Sequence, residues 1–284
     1  MGPEVVSAEK SEFLPLRDTL NAFYNSEKFL SLNESTRSFY QGDLRCFQRS
    51  MAGIGAESLN QITPQIVADY LASLQKSPAT IARRLNSIKT LLRWAEAEHI
   101  ADPSLVDQLP KTPRWEKAIT PNYLSDKEAA GLVEKARGNL RNLALVTIAI
   151  QTGAKTSEIL DLNVDDIHHS DHQVSIQFIS KNGKSRVNYL DGESAEIIRE
   201  FAENQKTGPL FLTGKYNHSG EKLTRQGFWF IVRELGKTVG RPDINPRILR
   251  NTFIRNFPGS PAELSETLGI NYDLCCHLLK RRIR

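Results

Sequence analysis

Along most of the chain the apolar residues recur every three or four positions, the spacing of one face of a helix. Phe13, Leu16, Leu20, Phe23 and Tyr24 share such a face, which predicts a helix over 13–30. Ser31 to Glu34 breaks it. A second helix over 34–50 carries Tyr40, Leu44 and Phe47. Thr63-Pro64 is an N-cap followed by a first-turn proline and opens a third helix to 74; Ser77-Pro78 opens a fourth that ends near Glu98. The helical period then lapses over 102–121, which holds Pro103, Pro110, Pro113 and Pro121 and reads as a linker. The expected organisation is a flexible N-terminus (1–12), a four-helix first domain (13–101), the linker (102–121) and a second domain (122–284).

The second domain opens with Ser125-Asp126-Lys127-Glu128, a capping box. A strongly apolar helix over 140–152 and a short one over 156–162 follow. Residues 172–178, His-Gln-Val-Ser-Ile-Gln-Phe, switch to period two and predict a strand. A second strand over 185–190 follows a Lys-Asn-Gly-Lys turn, making a hairpin. Helices are expected over 192–204, 223–237, 246–256, 261–267 and 271–281. The fold class is therefore mainly α, with a small β-hairpin or sheet in the second domain.

Composition adds exclusions. Of 284 residues 39% are apolar and 25% charged, ordinary for a globular protein. No stretch approaches the roughly 20 apolar residues that span a bilayer, and the first residues lack the apolar core of a signal peptide. Cys46 stands alone and Cys275 and Cys276 are adjacent, so neither a disulfide framework nor a zinc site is indicated. No metal, cofactor, membrane or small-molecule substrate is expected, and a reducing cytoplasm is inferred. The net charge is only +4, but residues 1–110 hold 11 Lys/Arg against 13 Asp/Glu, whereas residues 111–284 hold 26 against 20.

Local clustering carries more. Residues 76–93 contain five Lys/Arg and no acid. On a helical wheel Ile81, Leu85, Ile88 and Leu92 form one stripe, and Arg83, Asn86, Lys89, Thr90 and Arg93 lie opposite. Such a helix packs by one face and grips a phosphate backbone with the other.

Four segments of the second domain belong together: QTGAKTSEILDLNVDDI (151–167), ISKNGKSRVNYL (179–190), INPRILRNTF (244–253) and ETLGINYDLCCHLLKRRIR (266–284). In this order they resemble the tyrosine recombinase (phage integrase) family, including its Xer-type branch. The resemblance implies a SAM-like, core-binding helical first domain, with the basic helix facing DNA, and a second domain of the catalytic type. It also implies duplex DNA as partner, association with the nucleoid, and chemistry through a phosphotyrosyl intermediate. In that chemistry two arginines hold the phosphate oxygens, a hairpin lysine protonates the leaving oxygen, and two histidine-type positions assist.

Carried over position by position, Lys181 and Arg250 keep the family's residue. Lys155 stands where the first arginine is expected, retaining charge without the bidentate fork. Arg247 replaces a histidine and cannot act as a base. Lys184 and Arg186 follow Lys181 as expected DNA-facing cations. Leu268-Gly269 is followed by Ile270 where the family has histidine, and the nucleophile position, nine residues on, is Leu279. Tyr272 comes seven residues too early, a shift of about 10 Å along a helix. Cys275, Cys276 and His277 do not fall on a matched position either. The expectation is a DNA-binding member that clamps duplex DNA between its domains without cutting it. Residues 271–284 are expected to dock on a second copy or on an active relative, or to lay Lys280, Arg281, Arg282 and Arg284 on DNA. The alternatives are an active recombinase with a displaced nucleophile such as Tyr272, or one supplied in trans, and a protein-interaction scaffold without a DNA role.

Overall fold

The computed structural model describes residues 14–102, 104–111, 122–180, 183–214 and 220–280. It divides into two compact units, Met1–Ala118 and Ile119–Arg284.

The first unit is helical: α1 (Leu16–Asn25), α2 (Glu27–Leu30), α3 (Glu34–Ala52), α4 (Pro64–Ser73), α5 (Pro78–Ala97) and α6 (Leu105–Gln108). The sequence sets the helix starts. The side chains of Asn33, Thr63 and Ser77 accept from the backbone amides of Thr36, Ile66 and Thr80, and Pro64 and Pro78 occupy the first turn, where no amide is needed. The helix expected over 13–30 is two helices. Ser26 is extended and its hydroxyl caps α2, which turns Phe29 inward onto Phe23, ring centroids 5.1 Å apart. Phe23, Phe29, Leu44, Phe47, Val67, Leu85, Ile88, Leu91 and Leu92 are buried in one core. Part of the stretch read as a linker also packs here: α6 buries Leu105 and Val106, and Leu109 follows them into the core. The two prolines flanking this turn masked its apolar spacing.

The second unit comprises α7 (Asp126–Ala136), α8 (Leu140–Thr152), α9 (Thr156–Leu160), strands β1 (Ile167–His169), β2 (Gln173–Ile179) and β3 (Ser185–Asp191), then α10 (Gly192–Glu203), α11 (Arg225–Thr238), α12 (Pro246–Asn256), α13 (Pro261–Leu268) and α14 (Tyr272–Lys280). Helix α8 is its axis. Residues 143–149 are buried throughout, which explains a helix apolar on nearly every side. The sheet is antiparallel in the order β1-β2-β3. Val174, Ile176 and Phe178 point into the same core, opposite Leu190, Asn188 and Arg186 of β3. Strand β1 was not expected, because three residues are too few to show a period. A separate apolar cluster at the end of the chain joins Ile254, Leu264, Leu268 and Cys275, with Ile270, Leu278 and Leu279 against it. It ties α14 to α12 and α13 of its own chain.

Candidate functional site

The site grows from the turn between α8 and α9. Gly153 ends α8 at φ 58°, in the left-handed region. A side chain there would overlap the Phe253 ring, with Cγ at 2.8 Å, and meet Leu268 Cδ2 at 3.0 Å. Only glycine fits both constraints. Its carbonyl accepts a hydrogen bond from Arg250 Nη1, which anchors that guanidinium from α12 at the end of α8. Burial lowers the pKa of Arg250, and the nearby Glu158 carboxylate counters it.

Lys155 caps α9, and Glu158 one turn later is only 4% exposed. The Glu158 carboxylate accepts from the Lys155 amide (2.8 Å) and from Lys155 Nζ (3.2 Å). It also pairs with Arg186 Nη2 at 2.9 Å. Burial alone raises the Glu158 pKa. The hydrogen bonds from Arg186 and the Lys155 amide, with the charges of both cations, outweigh it and hold the carboxyl below its ordinary range.

Arg186 itself is a correction. Read from the sequence as DNA-facing, its side chain is 8% exposed. Its Nε donates to the Thr267 carbonyl at 2.8 Å and its guanidinium lies over the Phe178 ring at 4.7 Å. A residue on the inward side of β3, opposite Phe178, has nowhere else to go. Lys184, at the hairpin turn, is exposed. Lys181 lies outside the described residues, as do Arg281, Arg282 and Arg284.

On one side of α9 an open cleft of about 640 Å³ is lined by Lys155, Ser157, Arg225, Trp229, Asn245 and Arg247, among others. No carboxylate is among its described lining residues. The N-terminal turns of α11 and α12 border it, and Asn245 caps α12 by accepting from the Arg247 and Ile248 amides. Helix N-termini carry partial positive charge, which adds to the cations for an anion in this cleft. A second cleft of about 550 Å³, on the hairpin side, shares Lys155 and Ser157 but includes Glu158, Asp161 and Gly269. Sequence reasoning missed Glu158, Arg225 and Trp229. The signal for Arg225 was its place just after Thr224, a residue that caps α11.

The expected nucleophile position holds no chemistry. Leu279 and Ile270 are half-buried against the terminal apolar cluster. Tyr272 is 54% exposed at the start of α14. Its hydrogen bond with the Cys276 side chain and that group's charge raise the phenol pKa, the wrong direction for an attacking phenolate. Cys275 is fully buried, which pushes its thiol up, while His277 is exposed. Helix α14, expected to dock on another protomer, packs here on its own α12 and α13.

In the first unit the basic face is less uniform than its sequence. Arg83 pairs with the buried Asp43 of α3 at 2.5 Å and stacks over Phe39. Ser87 and Arg84 approach the same carboxylate at 2.9 and 3.7 Å. An acid 40 positions away thus neutralises a cation that the local sequence left unpaired. Lys89 donates to the Pro110 carbonyl and Thr90 to the Asn86 carbonyl, while Asn86 and Arg93 are exposed.

Comparison with known proteins agrees with this architecture. The profile of the Phage integrase family matches residues 122–261, and that of the phage integrase N-terminal SAM-like domain matches residues 21–99. The chain belongs to the tyrosine recombinase (phage integrase) family and is Xer-like. It is 29% identical to tyrosine recombinase XerC of Roseiflexus castenholzii over 239 residues, 78% of this chain and 74% of that protein. It is 29% identical to tyrosine recombinase XerD of Oceanobacillus iheyensis over 260 residues, 84% of each. Two solved structures share the fold. XerH recombinase in a pre-cleavage complex with difH superposes with a TM-score of 0.68, at 18% identity, over 93% of this chain and 85% of that one. A lambda integrase dimer bound to a COC' core site gives 0.74, at 15% identity, over 95% and 79%. No helix among the described residues is long and apolar enough to cross a membrane.

Proposed function

We propose that this chain is a DNA-binding tyrosine recombinase relative that clamps duplex DNA between its two domains without cleaving it. On this reading it serves an accessory or regulatory role in DNA recombination, in the cytoplasm and associated with the nucleoid. The observation that carries the reading is the contrast within one unit. The cleft of Lys155, Arg225 and Arg247 has a cationic lining with no acid among its described residues, while the matched nucleophile position, Leu279, is a packing residue. The cations hold a phosphate, and a leucine at the matched position offers no nucleophile to form a covalent intermediate. DNA contact is assigned to Arg93, Asn86, Lys89 and Thr90 of α5, to Lys184 and Lys181 of the hairpin, and to Lys155 and Arg247 in the cleft, with Arg250 behind them. The DNA complexes of XerH and lambda integrase, and a lambda integrase tetramer on a Holliday junction, support duplex DNA and oligomeric assembly as the context. A second copy or an active relative would then meet the exposed Tyr272 and Leu274 of α14.

The test is a suicide DNA substrate assayed for covalent adduct beside a binding titration on the same duplex. Salt-dependent binding with no adduct is expected. An adduct that vanishes in Tyr272→Phe would establish the displaced-nucleophile recombinase instead, and absence of any binding at low salt would leave the scaffold.

A further inference from the structure

Arg186 joins the hairpin to α9, which lines the cationic cleft, and to the end of α13. It stands on β3, one arm of the hairpin that carries Lys184. It reaches α9 through Glu158, whose carboxylate also fixes the amide and ammonium of Lys155. It reaches the end of α13 through the Thr267 carbonyl, to which Asn188 also donates, at 3.3 Å. Its face rests on Phe178 of β2. Just past Thr267, Gly269 leaves room for it: a Cβ there would lie 3.3 Å from Arg186 Cδ and 3.6 Å from Nη1. A planar guanidinium meets a carboxylate and a carbonyl along two edges while its face stacks, and a lysine ammonium cannot do all three.

We propose that Arg186 is a positioning residue and not a DNA contact. It locks the hairpin, the start of α9 and the α13–α14 junction into one frame, so that Lys155 and Lys184 meet neighbouring phosphates together. This rests on the DNA-binding reading given above. It differs from a simple buried ion pair, whose replacement by apolar groups is often neutral, because here the bonds set the relative placement of three separate elements.

The test uses the full chain with Arg186→Lys and Arg186→Met. Amide hydrogen exchange is read without DNA, and duplex affinity is read across a salt series. In Arg186→Lys, exchange at 155–160, 183–185 and 269–274 is expected to quicken about tenfold or more while α8 and α10 keep their protection. The slope of log affinity against log salt is expected to fall by about 1.8, two phosphate contacts at roughly 0.9 each. A direct phosphate contact predicts otherwise: Arg186→Lys keeps the wild-type slope and only Arg186→Met loses about 0.9. Wild-type exchange and slope in Arg186→Lys overturn the proposal. If Arg186→Lys unfolds the whole unit, Gly269→Ala decides: its Cβ presses on Arg186 without removing it, and because φ 60° also strains its own turn, the deciding segments are 155–160 and 183–185. Loosening that also reaches 155–160 and 183–185 while α8 and α10 stay protected supports the proposal, and loosening confined to 269–274 or uniform loss refutes it. If the wild type binds no duplex, the functional reading fails, and the exchange pattern still decides the role of Arg186.

Discussion

Gly153→Ala is the substitution whose effect the geometry fixes most tightly. At φ 58° an alanine sits in the left-handed region, which costs about 1–2 kcal/mol for an L-residue. Its methyl overlaps the Phe253 ring and presses on Leu268 at 3.0 Å, and such overpacking adds about 1–3 kcal/mol. The expected loss is about 2–5 kcal/mol in the second unit alone. Because the chain has two units, native-state hydrogen exchange across a urea series, read on α8, is the suitable assay. Adding Phe253→Leu removes the overlap but not the backbone strain, so the double variant recovers about 1–3 kcal/mol and keeps the remaining deficit. A loss below about 1 kcal/mol in Gly153→Ala, or no recovery in the double variant, refutes the reasoning.

Glu158 has a folded pKa below its unfolded value, so its ion pairing stabilises above the ordinary carboxylate pKa of about 4.3 and is lost as pH falls through the folded value. Melting temperatures of Glu158→Gln should therefore converge on wild type below that range, and a gap that persists or widens in acid counts against the pairing. Asp43→Asn strands the charge of Arg84, whose side chain is 14% exposed, and should destabilise the first unit by about 3–5 kcal/mol in thermal unfolding, leaving the second unchanged. Arg93→Ala, at an exposed position of α5, should reduce the salt slope for duplex DNA by about 0.9. Arg83→Ala should reduce it by less, since Asp43 already holds that guanidinium; equal losses would show that Arg83 leaves Asp43 for a phosphate.

Helix starts were legible because a cap is a local event. Thr63-Pro64, Ser77-Pro78 and Ser125 with Glu128 each announce a first turn within four residues, and all three form as read. The hairpin was legible through the period-two pattern of 172–178, one residue off the strand that forms at 173–179. What the sequence hid depends on partners far along the chain. Arg83 reads as a free cation until α3 brings Asp43 beneath it, and Arg186 reads as one until α9 and α13 close over it. Arg186 lies two residues from the exposed Lys184 and Arg83 shares α5 with the exposed Arg93, so local spacing does not separate the two fates. Val106 and Leu109 failed for another reason: a turn of four residues is shorter than the window in which a helical period is visible.

The substitutions at 270 and 279 are not equivalent to those at 155 and 247. Lys155 and Arg247 still line a cleft with no acid among its described residues, so a phosphate bound there meets cations of changed geometry. Leu279 and Ile270 do something new instead. Together with Leu278 they pack on Ile254, Leu264, Leu268 and Cys275, and that packing fastens α14 to its own chain. A tyrosine at 279 would have to give up part of this contact or bury its hydroxyl among aliphatic groups, and an unsatisfied buried hydroxyl is costly. On the reading proposed above, the missing nucleophile is thus tied to the packing of the last two helices, while Lys155, Arg225 and Arg247 remain at the cleft beside the starts of α11 and α12.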